Sequence, residues 1–172
     1  SRLLVVIDEQ KNRLDMTRDA IEKLIPQLRT LPNIKEKQDV LYFKGKEGIK
    51  TVYEEILATG KSYIGYGTGT HIESLMKNYF RHYVQRRIES KINIRMIWDE
   101  ASRGKPYTQT PLMDSKFLPN EVSSIAASRI YGDKVAIFLF SEEQPIAVVI
   151  ENKAIADGYR RYFEVMWKAA KS

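Results

Sequence analysis

Between residues 39 and 98 the chain alternates short runs of strand formers with stretches of helical periodicity, and few folds accept that order. "DVLYF" (39–43) is rich in strand formers. In "KEGIKTVYEEILATG" (46–60), Ile49, Val52, Tyr53, Ile56 and Leu57 fall on one helical face, and Gly60 is a helix stop. "SYIGYG" (62–67) reads as a short buried strand. Ile72, Leu75, Met76, Tyr79, Phe80 and Tyr83 then mark one face of a second helix, which runs to about Ser90. "INIRMIW" (92–98) alternates as a strand does. This β-α-β-α-β order implies an α/β fold, with parallel strands and helices packed on the sheet.

The flanks differ from this centre. Residues 99–120 hold polar runs, three prolines and no clear period, which reads as a long functional or mobile loop. Three strands follow, in "SSIAASRIYG", "DKVAIFLF" and "PIAVVIEN", with hairpin turns at Gly132–Asp133 and at "SEEQ" (141–144). Asn152 is placed to cap a closing helix that turns Ile155, Tyr159, Tyr162, Phe163, Met166 and Trp167 to the core.

At the other end, Ile7, Leu14, Ile21 and Leu28 recur every seven residues as an apolar row. A second row, Leu3, Gln10, Thr17, Leu24 and Leu31, is polar in its middle. Such a helix packs on a partner helix, its own copy in a homodimer, or lies on its own domain. Pro26 imposes a kink or restart, and residues 31–39 read as a linker. The expected division is a dimerisation helix at 1–31 and an α/β effector-binding domain at 39–172. A chain that opens on Ser1 rather than methionine is expected to be a piece of a longer one.

"YIGYGTGTHIE" (63–73) sits where the second strand turns into a helix. Its glycines, Gly65, Gly67 and Gly69, miss the G-x-G-x-x-G spacing of a dinucleotide turn by one residue, and no G-K-S/T follows as a P-loop requires. No nucleotide, and no other cofactor, is expected. Thr70-His71-Ile72-Glu73 is instead a capping box, in which the Thr70 hydroxyl and the Glu73 carboxylate satisfy the helix start. The carboxyl end of a parallel strand is still where α/β proteins bind ligands. Tyr66, Gly67, Thr68, Gly69, Thr70 and His71 are therefore the candidate ligand contacts, with Arg95, Trp98 and the 99–120 loop as walls.

Composition narrows the chemistry. The chain has no cysteine, which excludes disulfides, thiolate metal sites and a cysteine nucleophile, and fits a cytoplasmic protein. Its two histidines, His71 and His82, lie eleven residues apart without metal-ligand spacing, so no metal is expected. There is no G-x-S-x-G elbow. Asp99 and Glu100 either work as paired carboxylates or simply solvate a strand end. Lys77, Arg81, His82, Arg86, Arg87 and Lys91 form a basic helix face, read as solvated surface or as a patch for an anion or companion domain. A net charge of +6 permits an anionic partner without demanding nucleic acid. No apolar run is long enough to span a bilayer.

Three segments together resemble the carboxyl-terminal part of TrmB-like transcriptional regulators. They are "LIPQL" (24–28), "VLYFKGKEGIKTVYEEIL" (40–57) and "IYGDKVAIFLFSEEQPIAVVIENKAIADGYRRYFEVMW" (130–167), and the resemblance is weak across 99–120. It implies a phospholipase D-like mixed sheet with flanking helices, preceded by a long coiled-coil-type helix. A winged-helix DNA-reading module would precede that helix, outside this chain. Enzymes of the phospholipase D superfamily carry H-x-K-x4-D, in which the histidine attacks phosphorus and the lysine holds the phosphate charge. Ile125, Ala127 and Gly132 stand at those three places, and no H-x-K occurs anywhere in the chain.

The resemblance thus implies an effector-sensing and dimerisation domain rather than an enzyme. It implies a homodimer, a small-molecule effector with sugars as one class, and contact with DNA only through the absent module. The alternatives are a divergent phosphodiesterase using His71 or His82, and a protein-interaction module without a ligand.

Overall fold

The computed structural model describes residues 39–67, 70–122, 124 and 126–172, all within a compact unit that spans residues 36–172. The leading helix expected at 1–31, with Ile7, Leu14, Ile21 and Leu28, lies outside the described residues. The described elements, in chain order, are β1 (Asp39–Lys44), α1 (Gly45–Ala58), β2 (Tyr63–Tyr66), α2 (Thr70–Glu89), β3 (Ile94–Asp99), β4 (Met113–Leu118), β5 (Ala126–Tyr131), β6 (Lys134–Leu139), β7 (Ile146–Glu151) and α3 (Lys153–Ala169).

The strands make one mixed sheet in the order β1-β7-β6-β5-β2-β3-β4. β2, β3 and β4 are parallel neighbours, and every other pairing is antiparallel. The expected parallel arrangement therefore holds for β2 and β3 but needs correction for β1. That strand runs in the same direction, yet sits at the far edge with β7, β6 and β5 between it and β2. The cause is the tail. Its short turns force β5, β6 and β7 into an antiparallel meander, which pairs with β2 on one side and β1 on the other. Residues 99–120 are corrected too: they contain two short 3-10 turns and the edge strand β4.

Alternation along the strands gives two covered faces. One carries Tyr63, Met96, Trp98, Ala127, Tyr131 and Phe138 against α1 and α2, whose Ile49, Val52, Tyr53, Ile56, Ile72 and Tyr83 are buried as their spacing requires. The other carries Ile97, Ile130 and Val135 against Ala156 and Phe163 of α3. Ile155 and Tyr162 do not join that core. They are 40% and 66% exposed, because each precedes a buried residue, Ala156 or Phe163, by one position, which is about 100° of helix. The helix α2 is not continuous: Met76 has φ −141° and ψ 34°, a break in the helical path.

At the start of α3, Asn152 Oδ1 accepts a hydrogen bond from the Ile155 amide at 3.0 Å. Replacing Asn152 by Ala leaves that amide without its partner. The loss expected in urea denaturation is about 1 kcal/mol, with the slope of the transition unchanged.

Candidate functional site

The turn after β2 is shaped by how closely β5 passes beneath it. A Cβ on Gly65 would lie 2.5 Å from the Ser128 carbonyl oxygen and 2.8 Å from Arg129 Cδ. Gly67 has φ +136°, and a Cβ there would lie 2.6 Å from both Cα and Cβ of Ala127. Packing alone therefore requires glycine at both positions. The Gly67 amide donates to the Ile97 carbonyl at 3.1 Å, which carries the parallel ladder one residue past β2. Ala127 is fully buried under this contact, and its methyl group fills the space beside Gly67.

The amino end of α2 follows at Thr70, beside the carboxyl ends of β2 and β3. Thr68 and Gly69, and the side chains of Thr70, His71 and Glu73, lie outside the described residues, and the expected capping box with them. A cleft of about 110 Å³ opens at this end of the sheet. Tyr66, Gly67, Ile97, Asp99, Leu118 and Met166 line it, with Ser124 and Trp98 at its margin. It is mostly apolar, and Asp99 is its charged group. The Asp99 carboxylate accepts from the Ser102 hydroxyl. Glu100 does not pair with Asp99. Its carboxylate accepts from Arg103 at 3.1 Å, and that guanidinium holds it below the usual carboxylate range. Among the described residues no group of three His, Cys, Asp or Glu side chains converges as a metal site would require.

Arg95 and Trp98, expected to wall one site, point to opposite faces. Trp98 is 4% exposed on the α1 and α2 side, where Nε1 donates to Ser115 Oγ at 3.1 Å and the ring lies 5.5 Å from that of Tyr107. Arg95 faces α3, sits 4.4 Å above the Trp167 ring, and donates to both carboxylate oxygens of Glu164 at 2.7 and 3.2 Å. It lines a separate groove of about 410 Å³ at the amino ends of β2 and β3, with Ser62, Asn93, Asp114 and Arg160. The structure therefore brings Tyr66, Gly67 and Trp98 together and leaves Arg95 at the other end of the sheet.

The Arg95 bond holds the Glu164 carboxyl below its usual range. A carboxyl depressed in the folded state stabilises above the unfolded group's titration and loses that effect as pH falls through the folded one. Glu164→Gln is expected to cost no more than about 1 kcal/mol at neutral pH, because the pair is half exposed. Thermal unfolding at a series of pH values should show the difference from wild type closing below about pH 4.

The basic face of α2 is also divided. Lys77, Arg81 and His82 are exposed, whereas Arg86 is held by Glu54 at 2.9 Å. Arg87 is not surface at all: it is 1% exposed. Sequence reasoning missed Arg129, which is 3% exposed on the core face of β5. Its position between Ala127 and Tyr131 in an alternating strand was the available signal.

No family model matches the sequence, and no curated protein matches it. Solved structures do. Over 79% of this chain and 99% of the other, it is similar to NucT from Helicobacter pylori, with a TM-score of 0.59 at 8% identity. It is similar to Nuc from Salmonella typhimurium, a phospholipase D family member, over 78% and 97%, with a TM-score of 0.58 at 13% identity. The fold is phospholipase D-like. The chain is also similar to TrmBL2, an archaeal chromatin protein with a novel mode of DNA binding, with a TM-score of 0.53 at 14% identity. That match covers 95% of this chain, which spans 65% of the length of TrmBL2.

Proposed function

We propose that this chain is the effector-sensing and dimerisation part of a TrmB-like transcriptional regulator. The observation that carries the reading is the buried Ala127, packed against Gly67 where the phospholipase D pattern has its lysine. With no H-x-K in the chain, the phosphoryl chemistry of that superfamily has neither its nucleophile nor its charge clamp. The likeness to TrmBL2 supports the regulator reading, since it extends over 95% of the chain against 79% for NucT and 78% for Nuc.

The effector would bind at the carboxyl ends of β2 and β3, in the cleft bounded by Tyr66, Gly67, Trp98 and Asp99, with Thr68, Gly69, Thr70 and His71 proposed as further contacts. Its apolar lining suits the ring face of a sugar or a similar metabolite, with Asp99 accepting from a hydroxyl. The heptad row Ile7, Leu14, Ile21 and Leu28 would pair two copies, and DNA would be reached through a module outside this chain. An effector shifts such a pair only if it binds one helix arrangement more tightly than another.

Leu14→Lys together with Ile21→Lys is expected to halve the mass measured by light scattering, since two charges in one apolar row oppose pairing. An unchanged mass would assign that row to another contact. The enzymatic alternative predicts turnover of bis(p-nitrophenyl) phosphate that is abolished in His71→Ala. The regulator reading predicts no turnover in either protein.

A further inference from the structure

The two edges of the sheet are finished differently. At one edge, β4 carries Asp114 and Lys116 and lies between Pro111 and Pro119. Its outer side is also paired: the Phe117 amide donates to the Lys171 carbonyl at 2.8 Å, and the Lys171 amide donates back at 3.0 Å. Charges, prolines and a covering segment keep an edge strand from pairing with another chain. The opposite edge is β1, and its middle has none of these. "DVLYFK" (39–44) pairs with β7 over six residues in unbroken register, with its two charges at the ends. Val40 is 71% exposed and Tyr42 59%, and Leu41 between them is exposed too. Among the described residues no element covers the outer side of β1.

The phase of that strand is fixed. The Gly45 amide donates to the Pro145 carbonyl at 2.7 Å, one step beyond the Lys44–Ile146 pair. Alternate residues of an antiparallel strand bond to the same neighbour. Asp39, Leu41 and Phe43 therefore turn their backbone groups to β7, and Val40, Tyr42 and Lys44 turn theirs outward. Side chains alternate as well. Phe43 packs on the core beneath α1, so Asp39 and Leu41 share that face, and Val40, Tyr42 and Lys44 take the other.

We propose that β1 pairs with β1 of a second copy of this chain, joining two sheets into one. A two-fold antiparallel pair must set outward residues opposite outward residues. An axis at Tyr42 does so and gives every apolar residue of the strand a partner. Tyr42 faces its own equivalent, Leu41 faces Phe43 of the second copy, and Val40 faces the stem of Lys44. Aromatic and apolar cross-strand pairs of this kind stabilise a sheet. An axis at Leu41 would instead set Asp39 against Phe43, and one at Phe43 would set Val40 against Lys46, already inside α1. The Tyr42 axis also brings Asp39 to Gly45 of the other copy, the first residue of α1. That helix start has no side-chain cap and is followed by Lys46, so a carboxylate is favoured there. Symmetry makes the contact twice. The strand thus complements itself in charge and in apolar pairing, which is the argument for a second copy over an unrelated strand. Because Lys171 covers the β4 edge, pairing stops at two copies. The proposal does not rest on the heptad row: light scattering of Leu14→Lys with Ile21→Lys reads that row, and the experiment below reads this edge.

The whole chain has no cysteine, so introduced thiols report the seam. Residues opposite each other in such a pair have Cα atoms about 5.5 Å apart, within disulfide reach. In a glutathione redox buffer, Tyr42→Cys is expected to run mostly as a cross-linked dimer on a non-reducing gel. Val40→Cys and Lys44→Cys should each stay a single chain, since either residue lies roughly 13 Å from its own equivalent. Val40→Cys combined with Lys44→Cys in one chain should cross-link, because the two face each other across the seam. Val165→Cys, exposed on α3, measures chance collision. Val40→Pro removes an outward amide and spares the β7 ladder, so added to Tyr42→Cys it should abolish the cross-link with the urea midpoint little changed. Tyr42→Cys that stays a single chain overturns the proposal and gives this edge to residues 1–38 or to a different partner. Equal cross-linking at Val40, Tyr42 and Val165 also overturns it, as does a cross-link that survives Val40→Pro.

Discussion

Arg87→Met is expected to unfold this domain at markedly lower urea than any surface substitution. The Arg87 guanidinium donates to the Ile92 carbonyl at 2.7 Å, the Leu112 carbonyl at 3.1 Å, the Pro111 carbonyl at 2.7 Å and Thr110 Oγ1 at 3.0 Å. One side chain thereby ties the end of α2, the entry to β3 and the turn before β4. Methionine fills much of the volume but donates nothing, so several carbonyls lose their partners inside the core. A loss of about 3–5 kcal/mol follows. The midpoint should fall without a change in slope. A loss below about 1 kcal/mol would mean that water replaces the guanidinium, and that this corner is more open than the structure shows.

The second large effect is expected at Gly67. Alanine there meets two separate penalties. The backbone at φ +136° is one that side chains rarely adopt, and the new methyl would press on Cα and Cβ of Ala127 at 2.6 Å. Because Cα belongs to β5, rotation of a side chain cannot relieve the contact. Gly67→Ala is expected to cost about 3 kcal/mol or more by thermal or chemical unfolding. Adding Ala127→Gly removes one of the two contacts but not the backbone strain, so the double variant should recover part of the loss. Full recovery would show that strain at Gly67 is negligible, and no recovery would show that the close approach is not the cause.

Much of the architecture was legible because it rests on local periodicity. The buried stripe of α1, the tail hairpins and the Asn152 cap each follow from residues within one or two turns of each other. The place of β1 was not legible, since a strand's neighbours are chosen by pairings far along the chain. The strand β4 was hidden because its inward positions, Met113, Ser115 and Phe117, include a serine, and Pro111 precedes them. Ser115 is tolerated inside because it accepts from Trp98 and donates to the Thr108 carbonyl at 2.7 Å.

Two errors at the site were avoidable from spacing alone. Arg95 and Trp98 are three residues apart in one strand, and an odd separation puts side chains on opposite faces. Arg87 lies four residues after the core residue Tyr83, so it shares the buried face of α2 and not the basic one. Arg129 follows the same logic, alternating with Ala127 and Tyr131 on the inner face of β5.

In the proposed reading a phospholipase D-like sheet without its reactive pair binds a metabolite. Thermal unfolding across a panel of sugars, sugar phosphates and organic acids tests it most directly, because a ligand bound to the folded state must raise Tm in a concentration-dependent way. A saturable rise is expected, confined to one chemically related group of compounds and lost when Asp99, at the Tyr66–Asp99 cleft, is replaced by Ala. A flat response across the whole panel, from a protein that unfolds cooperatively, would contradict it and leave an interaction module as the better description.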